Sequence, residues 1–220
     1  MSRFIAQQIL GALPITIMLM VLSAMVAAPV AFGVGLARIA PIRVVRIAAT
    51  AYVEVFRGSS ALVQLFWAFY VLPFLGIELD PIAAGVAVLG LNAGAYASEI
   101  VRGAVVAVPK VQWEAATALN LSRTARMVHV VLPQAVPAML PTFGNVLIDI
   151  LKGTAILSLI TITELTRAVD QMAVNGEVTF DFGYTLLLVM YFILSLPLMG
   201  LIRAAEKFTG RHLVGVVRTK

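Results

Sequence analysis

Two pairs of charged residues interrupt the hydrophobic part of this sequence, and each pair has a spacing of three positions. Glu99 is followed by Arg102, and Asp149 is followed by Lys152. Residues three apart share one face of a helix, so each pair can neutralise itself. Alternatively, the four residues line a water-filled path for a charged solute, because an uncompensated charge in lipid is costly. We favour the structural interpretation for Glu99 and Arg102, leave both open for Asp149 and Lys152, and keep all four as candidates for a substrate path.

No group of residues in the sequence predicts enzymatic chemistry. No glycine is followed by lysine and then serine or threonine, so a P-loop for nucleotide phosphates is absent. The two histidines, His129 and His212, stand in basic segments without a second metal ligand at a suitable spacing, and the chain has no cysteine. We therefore expect no catalytic activity, metal or cofactor in this chain, and any ATP would have to be hydrolysed by another subunit.

The polar segment 109–133 has the pattern of a short amphipathic helix followed by a proline stop. It reads PKVQWEAATALNLSRTARMVHVVLP. Its apolar and small residues supply contact surface, and its charged residues suit a soluble partner. A segment that only returned the chain between two spans would not need this helix-forming composition. We predict that this segment docks a partner through Trp113, Glu114, Ala115, Ala116, Ala118, Leu119, Asn120, Arg123 and Arg126.

The composition of the chain predicts a membrane protein. Of 220 residues, 61% are hydrophobic and 12% are charged, which is too much apolar surface for a soluble domain of this size. Only helices and closed barrels satisfy the backbone polar groups in lipid, and the apolar runs are too long for barrel strands. We expect an all-α polytopic bundle that forms one domain over residues 1–220, with a core of about 10–207.

Five apolar runs are long enough to cross a bilayer, which takes about 20 residues of helix. The first run is much longer than the roughly 7–15 apolar residues of a secretory signal, so we interpret it as a retained span. The runs lie between Arg3 and Arg38, between Arg57 and Glu78, from Asp80 into Glu99, over about 138–162, and between Asp181 and Arg203.

Small residues in the third run predict close helix packing. Gly90, Gly94 and Ser98 recur every four residues and would let a neighbouring helix approach closely. Such spacing is common in glycine-rich spans, so we favour lateral packing over a specific dimer contact.

The distribution of basic residues predicts the orientation of the chain in the membrane. With the N-terminus outside, thirteen lysines and arginines lie in inner segments, whereas only Arg3 and Arg167 lie outside. An excess of basic residues marks the cytoplasmic side. We therefore expect the N-terminus outside and the C-terminus in the cytoplasm, and we interpret the formal charge of +5 as an orientation signal and not as a sign of nucleic-acid binding.

Five segments, in order along the chain, carry a family resemblance. They read FRGSSALVQLFWAFYVLP at 56–73, AYASEIVRGA at 95–104, EAATALNLS and VVLPQA within 114–135, LPTFGN at 140–145 and LKGTAILSLITITEL at 151–165. Together they resemble the permease subunits of polar amino-acid importers of the ATP-binding-cassette class, type I. Segment 109–133 resembles the EAA loop by which such a permease holds its ATPase. The resemblance covers nearly the whole chain.

The resemblance implies a fold, partners and a mechanism. It implies a type I importer permease of about five spans in the bacterial inner membrane. Two such subunits, identical or homologous, would join a dimer of cassette ATPases and an extracytoplasmic solute-binding protein. The ATPases would push the docking helices, and the bundle would alternate between outward and inward access. The outer loop 163–182, with polar residues at helical spacing, is a candidate contact for the binding protein.

Two positions depart from the pattern of the resembled family. Asn120 stands where the family usually has glycine, and asparagine tolerates the left-handed turn expected there. Gly153 stands where the family often has an acidic residue, so Lys152 is less compensated and could favour the carboxylate of a zwitterionic solute.

The sequence is compatible with two classes of substrate and with one other class of transporter. The segments FRGSSALVQLFW, EAATALN and LKGTAI most closely resemble the branch that imports ectoine and hydroxyectoine. A general polar or basic amino-acid importer is nearly as well supported. The alternative is an ion-coupled secondary transporter that uses the intramembrane charges. Such proteins often carry inverted repeats and interrupted helices, and the sequence shows neither.

Overall fold

The computed structural model describes residues 2–217, and it describes the side chains of residues 5–207. Arg218 and Lys220, which contribute to the predicted orientation, lie outside the described residues. The side chains of Arg3, Arg211 and His212 also lie outside the described part.

The described chain is helical and carries four helices long and apolar enough to cross a membrane. A fifth span arises if a pair of helices bent by 102° counts as one. This confirms the predicted all-α bundle of about five spans. The helices are α1 (Ser2–Ala37), α2 (Arg43–Gly58), α3 (Ala61–Phe66), α4 (Pro81–Ala107), α5 (Lys110–Ala118), α6 (Arg123–Arg126), α7 (Leu132–Gly153), α8 (Leu165–Val174) and α9 (Phe180–Val217).

Helices α2 and α3 form the bent pair. After α3, a π-helical turn and a 3-10 turn continue the chain to Leu75. At the bend, the amide of Asn92 and the amide of Gln64 both donate to the backbone oxygen of Phe56, at 2.9 Å each. These bonds satisfy a carbonyl that the interrupted helix leaves without an intrahelical partner. The bend is therefore held by side chains from α3 and α4.

The third and fourth spans are longer than the predicted runs. The third continues beyond Glu99 to Ala107, and the fourth covers residues 123–160. The proline stop predicted at the end of segment 109–133 is wrong. Pro133 is the second residue of α7, and a π-helical turn joins α6 to α7 directly before it, so the helix continues through the proline.

The small-residue stripe of the third span packs against α1. A Cβ built on Gly90 would lie 2.6 Å from the Cβ of Val26, and one on Gly94 would lie 2.6 Å from a Cγ of Val30. No side chain larger than hydrogen fits at these positions without moving α1. The stripe thus makes a lateral contact within the chain, as predicted.

Candidate functional site

Helix α5 forms the centre of the predicted docking segment. Trp113 packs into an apolar cluster with Val105, Val108 and Val131, and Ala116 is 2% exposed. Asn120 has φ of 57°, so it adopts the left-handed conformation expected at this turn. The N–H of Leu121 then donates to the oxygen of Ala116 and closes the helix end. The helix is therefore fixed by one face to the end of the bundle where α4 ends.

The opposite face of α5 is exposed. Leu119 is 76% exposed, although it is large and apolar. Arg123 is exposed beside this face, whereas Arg126 is half-buried and donates to the oxygen of Leu121. The other predicted docking residues that are exposed are Glu114, Ala115, Ala118 and Asn120.

Glu99 lies at the centre of a cluster of three arginines. Its Oε2 lies 3.0 Å from Nε of Arg102, which is the predicted pair. Its Oε1 also lies 2.5 Å from Nη1 of Arg38 and 3.1 Å from Nη1 of Arg57. The guanidinium of Arg57 lies over the ring of Tyr96, 5.1 Å from the ring centroid. The cluster joins the ends of α1 and α2 to α4. Asp149 lines two cavities of the bundle, and neither Glu99 nor Arg102 lines them.

The first of these cavities lies between α3, α4 and α7. Its volume is about 610 Å³. It is mostly apolar, with a few polar side chains that converge on it, which is the usual composition of a small-molecule site. Its polar lining residues are Ser60, Asn92, Tyr96, Thr142, Asn145 and Asp149.

The second cavity lies between α7 and α9 and has a volume of about 770 Å³. Asn145, Asp149 and Lys152 all line it, and they are exposed. Among the described residues, no ion pair joins Asp149 to Lys152, so the pair does not neutralise itself. Asp149 therefore lines both cavities from a position within the fourth span.

Several neutral polar residues of this site were missed in the sequence analysis. Asn92 and Tyr96 precede Glu99 at helical spacing on α4, and Asn145 precedes Asp149 and Lys152 at the same spacing on α7. A search for all polar residues that share a face with an intramembrane charge would have found them.

A buried polar network at the other end of the bundle was also missed. Glu164 is 0% exposed and caps α8 by accepting the N–H of Arg167 at 2.9 Å. The hydroxyl of Tyr191 donates to Glu164 Oε2 at 2.9 Å and lies 3.2 Å from the hydroxyl of Thr166. Burial raises the pKa of Glu164 above its usual range. The guanidinium of Arg167 donates to the oxygen of Ser158, which fixes α8 to the end of the fourth span.

Comparisons with known proteins agree with this arrangement. A probable amino-acid ABC transporter permease of Sinorhizobium fredii is 47% identical over 166 residues, covering 73% of this chain and 69% of the relative. The L-cystine transport system permease TcyB of Bacillus subtilis is 36% identical over 166 residues, covering 76% and 71%. A crystal structure of an amino acid ABC transporter superposes with a TM-score of 0.84 at 31% identity, covering 92% of this chain and 94% of that one.

These relatives are transport subunits and not enzymes by themselves, in agreement with the prediction that this chain does not catalyse a reaction. Residues 29–211 match the family described as binding-protein-dependent transport system inner membrane component. The expected kinship with importer permeases is confirmed, and the chain belongs to this family of inner-membrane transport components.

Proposed function

We propose that this chain is the permease subunit of an ATP-driven importer for a polar amino acid or an amino-acid-like compatible solute. The observation that carries the proposal is the cavity between α3, α4 and α7, where Asp149 lies without a charge partner among the described residues. A zwitterion brings its own ammonium group to such a carboxylate. The amino-acid and L-cystine permeases among the relatives support the same class of solute.

Within that class, we propose ectoine or hydroxyectoine as the first substrates to test. The support is the sequence of the segments FRGSSALVQLFW, EAATALN and LKGTAI, which resembles the ectoine and hydroxyectoine branch. The main alternative substrate is a polar or basic amino acid, because the external binding protein sets much of the specificity in such systems. Lys152, which has no ion-pair partner in the described chain, would favour the carboxylate of either solute.

The exposed face of α5 is proposed to dock a dimer of cassette ATPases. Glu114 to Leu119 would form the element that transmits motion, and Trp113 would carry it into the bundle through its packing against the apolar cluster that contains Val105 and Val131. Arg123, exposed at the end of the segment, would pair with an acidic group of the ATPase. A rigid contact of this kind lets closure of the ATPases turn the bundle between outward and inward access.

A second permease subunit, identical or homologous, would complete the path. Asn145, Asp149 and Lys152 form one exposed face of α7 within a span. An exposed charge of this kind would meet lipid unless another subunit or water covers it. The second subunit would enclose the face and share the cavity.

The proposed orientation has the N-terminus outside and the C-terminus in the cytoplasm of a bacterium. It puts α5 on the cytoplasmic side and α8 on the outer side, where α8 would meet the solute-binding protein. The basic residues of the inner segments support this orientation.

The test is uptake of labelled ectoine and of labelled amino acids into vesicles that hold this chain, its partner permease, the ATPase and the binding protein. Uptake that requires ATP and every component is the expected result, and the labelled solute taken up identifies the substrate. Uptake driven by an ion gradient without the ATPase would instead support the alternative, an ion-coupled secondary transporter.

A further inference from the structure

A third cavity lies at the junction of the docking segment and the bundle. It has a volume of about 420 Å³ and lies between the end of α1, the inner end of α4, α5 and α6. Its lining is mostly apolar, with Leu36, Ile39, Val106 and Trp113 among the contributors. Two cations, Arg123 and Arg126, also line it. This combination fits a molecule with an anionic group and an apolar body.

Arg126 carries a donor that the described chain does not satisfy. Its Nε is buried and has no hydrogen-bond partner among the described residues, and its Nη2 makes one long bond of 3.4 Å to the oxygen of Leu121. A buried donor of a charged group that lacks an acceptor destabilises the protein. An anionic oxygen in the cavity would satisfy it, and Arg123 would add a second positive charge.

The apolar part of the cavity reaches the protein surface at Val106. Val106, near the inner end of α4, lines the cavity and is 61% exposed. It belongs to the third candidate span, so its exposed side meets acyl chains when the span is in a bilayer. An acyl chain can therefore enter along Val106 and Leu36 while the headgroup stays at the arginines. A single acidic side chain of a partner protein would fill only a small part of this volume.

We propose that this cavity binds an anionic phospholipid of the inner leaflet, with its phosphate at Arg126 and one chain against Leu36, Ile39 and Val106. Because Trp113 of α5 lines the same cavity, the bound lipid is in contact with the docking helix. Membrane composition then affects the position of the helix that faces the soluble partner. This inference depends on the cytoplasmic position of α5 and not on the transported solute.

The test uses Trp113 as its probe. The chain has two tryptophans, so Trp67→Phe leaves Trp113 alone. The full-length variant is placed in bilayers containing brominated phosphatidylglycerol or brominated phosphatidylcholine, since bromine quenches tryptophan on contact. We expect quenching at a lower mole fraction of the glycerol lipid. Arg126→Gln should raise the half-quenching mole fraction at least about tenfold, the contribution of a hydrogen bond to a charged group in a specific site.

Two variants complete the design. Arg43→Gln removes an exposed arginine that does not line the cavity, and it should change quenching by less than about twofold. Val106→Phe fills the opening without changing charge and should reduce quenching by both lipids, which keeps the proposal testable if Arg126→Gln fails to fold. Inorganic phosphate and glycerol phosphate, which lack chains, should not relieve quenching.

Three results would overturn the proposal. Equal quenching by the two lipids would show that charge is not recognised. Equal losses in Arg126→Gln and Arg43→Gln would show a general surface effect and would leave Arg126 free for an acidic group of the ATPase. Competition by free phosphate would identify a phosphate site without a lipid.

Discussion

Arg57 and Glu99 lie 42 positions apart in the sequence and form an ion pair with an N–O distance of 3.1 Å. The pair joins the end of α2, next to the bend before α3, to the middle of α4. The ring of Tyr96, which lines the cavity between α3, α4 and α7, lies beside the same guanidinium. The ion cluster and the proposed substrate cavity therefore share a wall, although Glu99 itself does not line that cavity.

Removing the carboxylate of Glu99 should destabilise the bundle. Glu99→Gln leaves Arg38, Arg57 and Arg102 close together without an anion, so their repulsion is no longer compensated. Breaking a fully buried pair costs about 3–5 kcal/mol, and the 25% exposure of Glu99 reduces the expected loss to about 1–3 kcal/mol. The measurement is thermal unfolding of the purified chain in detergent. Glu78→Gln, an exposed position in a loop, serves as the control and should leave Tm unchanged; an equal Tm for both variants would argue against the cluster as a stabilising element.

Two glycines of α4 should respond in opposite ways to alanine. At Gly94 the added Cβ would lie 2.6 Å from a methyl carbon of Val30, so Gly94→Ala should lower stability by about 1–3 kcal/mol. At Gly103 no atom lies within 4 Å, so Gly103→Ala should raise stability by about 0.5–1 kcal/mol through the helix propensity of alanine. Denaturant titration of both variants gives the comparison. Changes of the same sign would contradict the close packing of α1 on α4.

Glu164 should make stability depend on pH. Burial raises the pKa of this carboxyl in the folded state above its ordinary value of 4.5, so the folded chain binds its proton more tightly than the unfolded chain does. The contribution of Glu164 is therefore most favourable at acidic pH and is lost as pH rises from the ordinary value through the raised one. The uncharged Glu164→Gln variant lacks this loss, so its Tm relative to the parent should increase from acidic to neutral buffer.

The control for this pH series is Glu177→Gln, which makes the same chemical change just after α8 at a half-buried position. A Tm difference between Glu164→Gln and the parent that stays constant with pH would show that Glu164 does not change its charge over this range.

The number and class of the helices were predictable because composition and span length follow from the chemistry of lipid alone. The ends of the spans were not predictable. The charge of Glu99 predicts a span boundary, but arginines distant in sequence compensate that charge. Pro133 predicts a helix end, because the sequence does not show the π-helical turn through which the helix continues into α7. At the site, charges were found by their rarity in apolar runs, whereas the partners of Glu164 are defined only by tertiary contacts.

Glu114 tests the docking role of α5. The side chain is exposed and has no ion-pair partner in the described chain, so Glu114→Lys should leave folding and membrane insertion intact. The inverted charge should repel cationic groups of the ATPase and uncouple ATP hydrolysis from uptake. The measurement is the ratio of solute transported to ATP hydrolysed in the reconstituted complex. Glu78→Lys makes the same charge change on the opposite side of the bundle and should keep that ratio; normal coupling in Glu114→Lys would count against the docking assignment.

Lys152 tests the recognition of a carboxylate in the proposed path. The ammonium group lines the cavity between α7 and α9, and Asp149 does not neutralise it. A hydrogen bond to a charged group contributes about 1.5–3 kcal/mol, so Lys152→Met should weaken transport of a zwitterionic solute by at least about tenfold in kcat/KM. Lys207→Met, in the C-terminal part of α9 and outside both cavities, removes the same charge and should preserve transport. Uptake measured over a range of solute concentrations separates the two variants, and unchanged affinity and rate in Lys152→Met would remove Lys152 from the path.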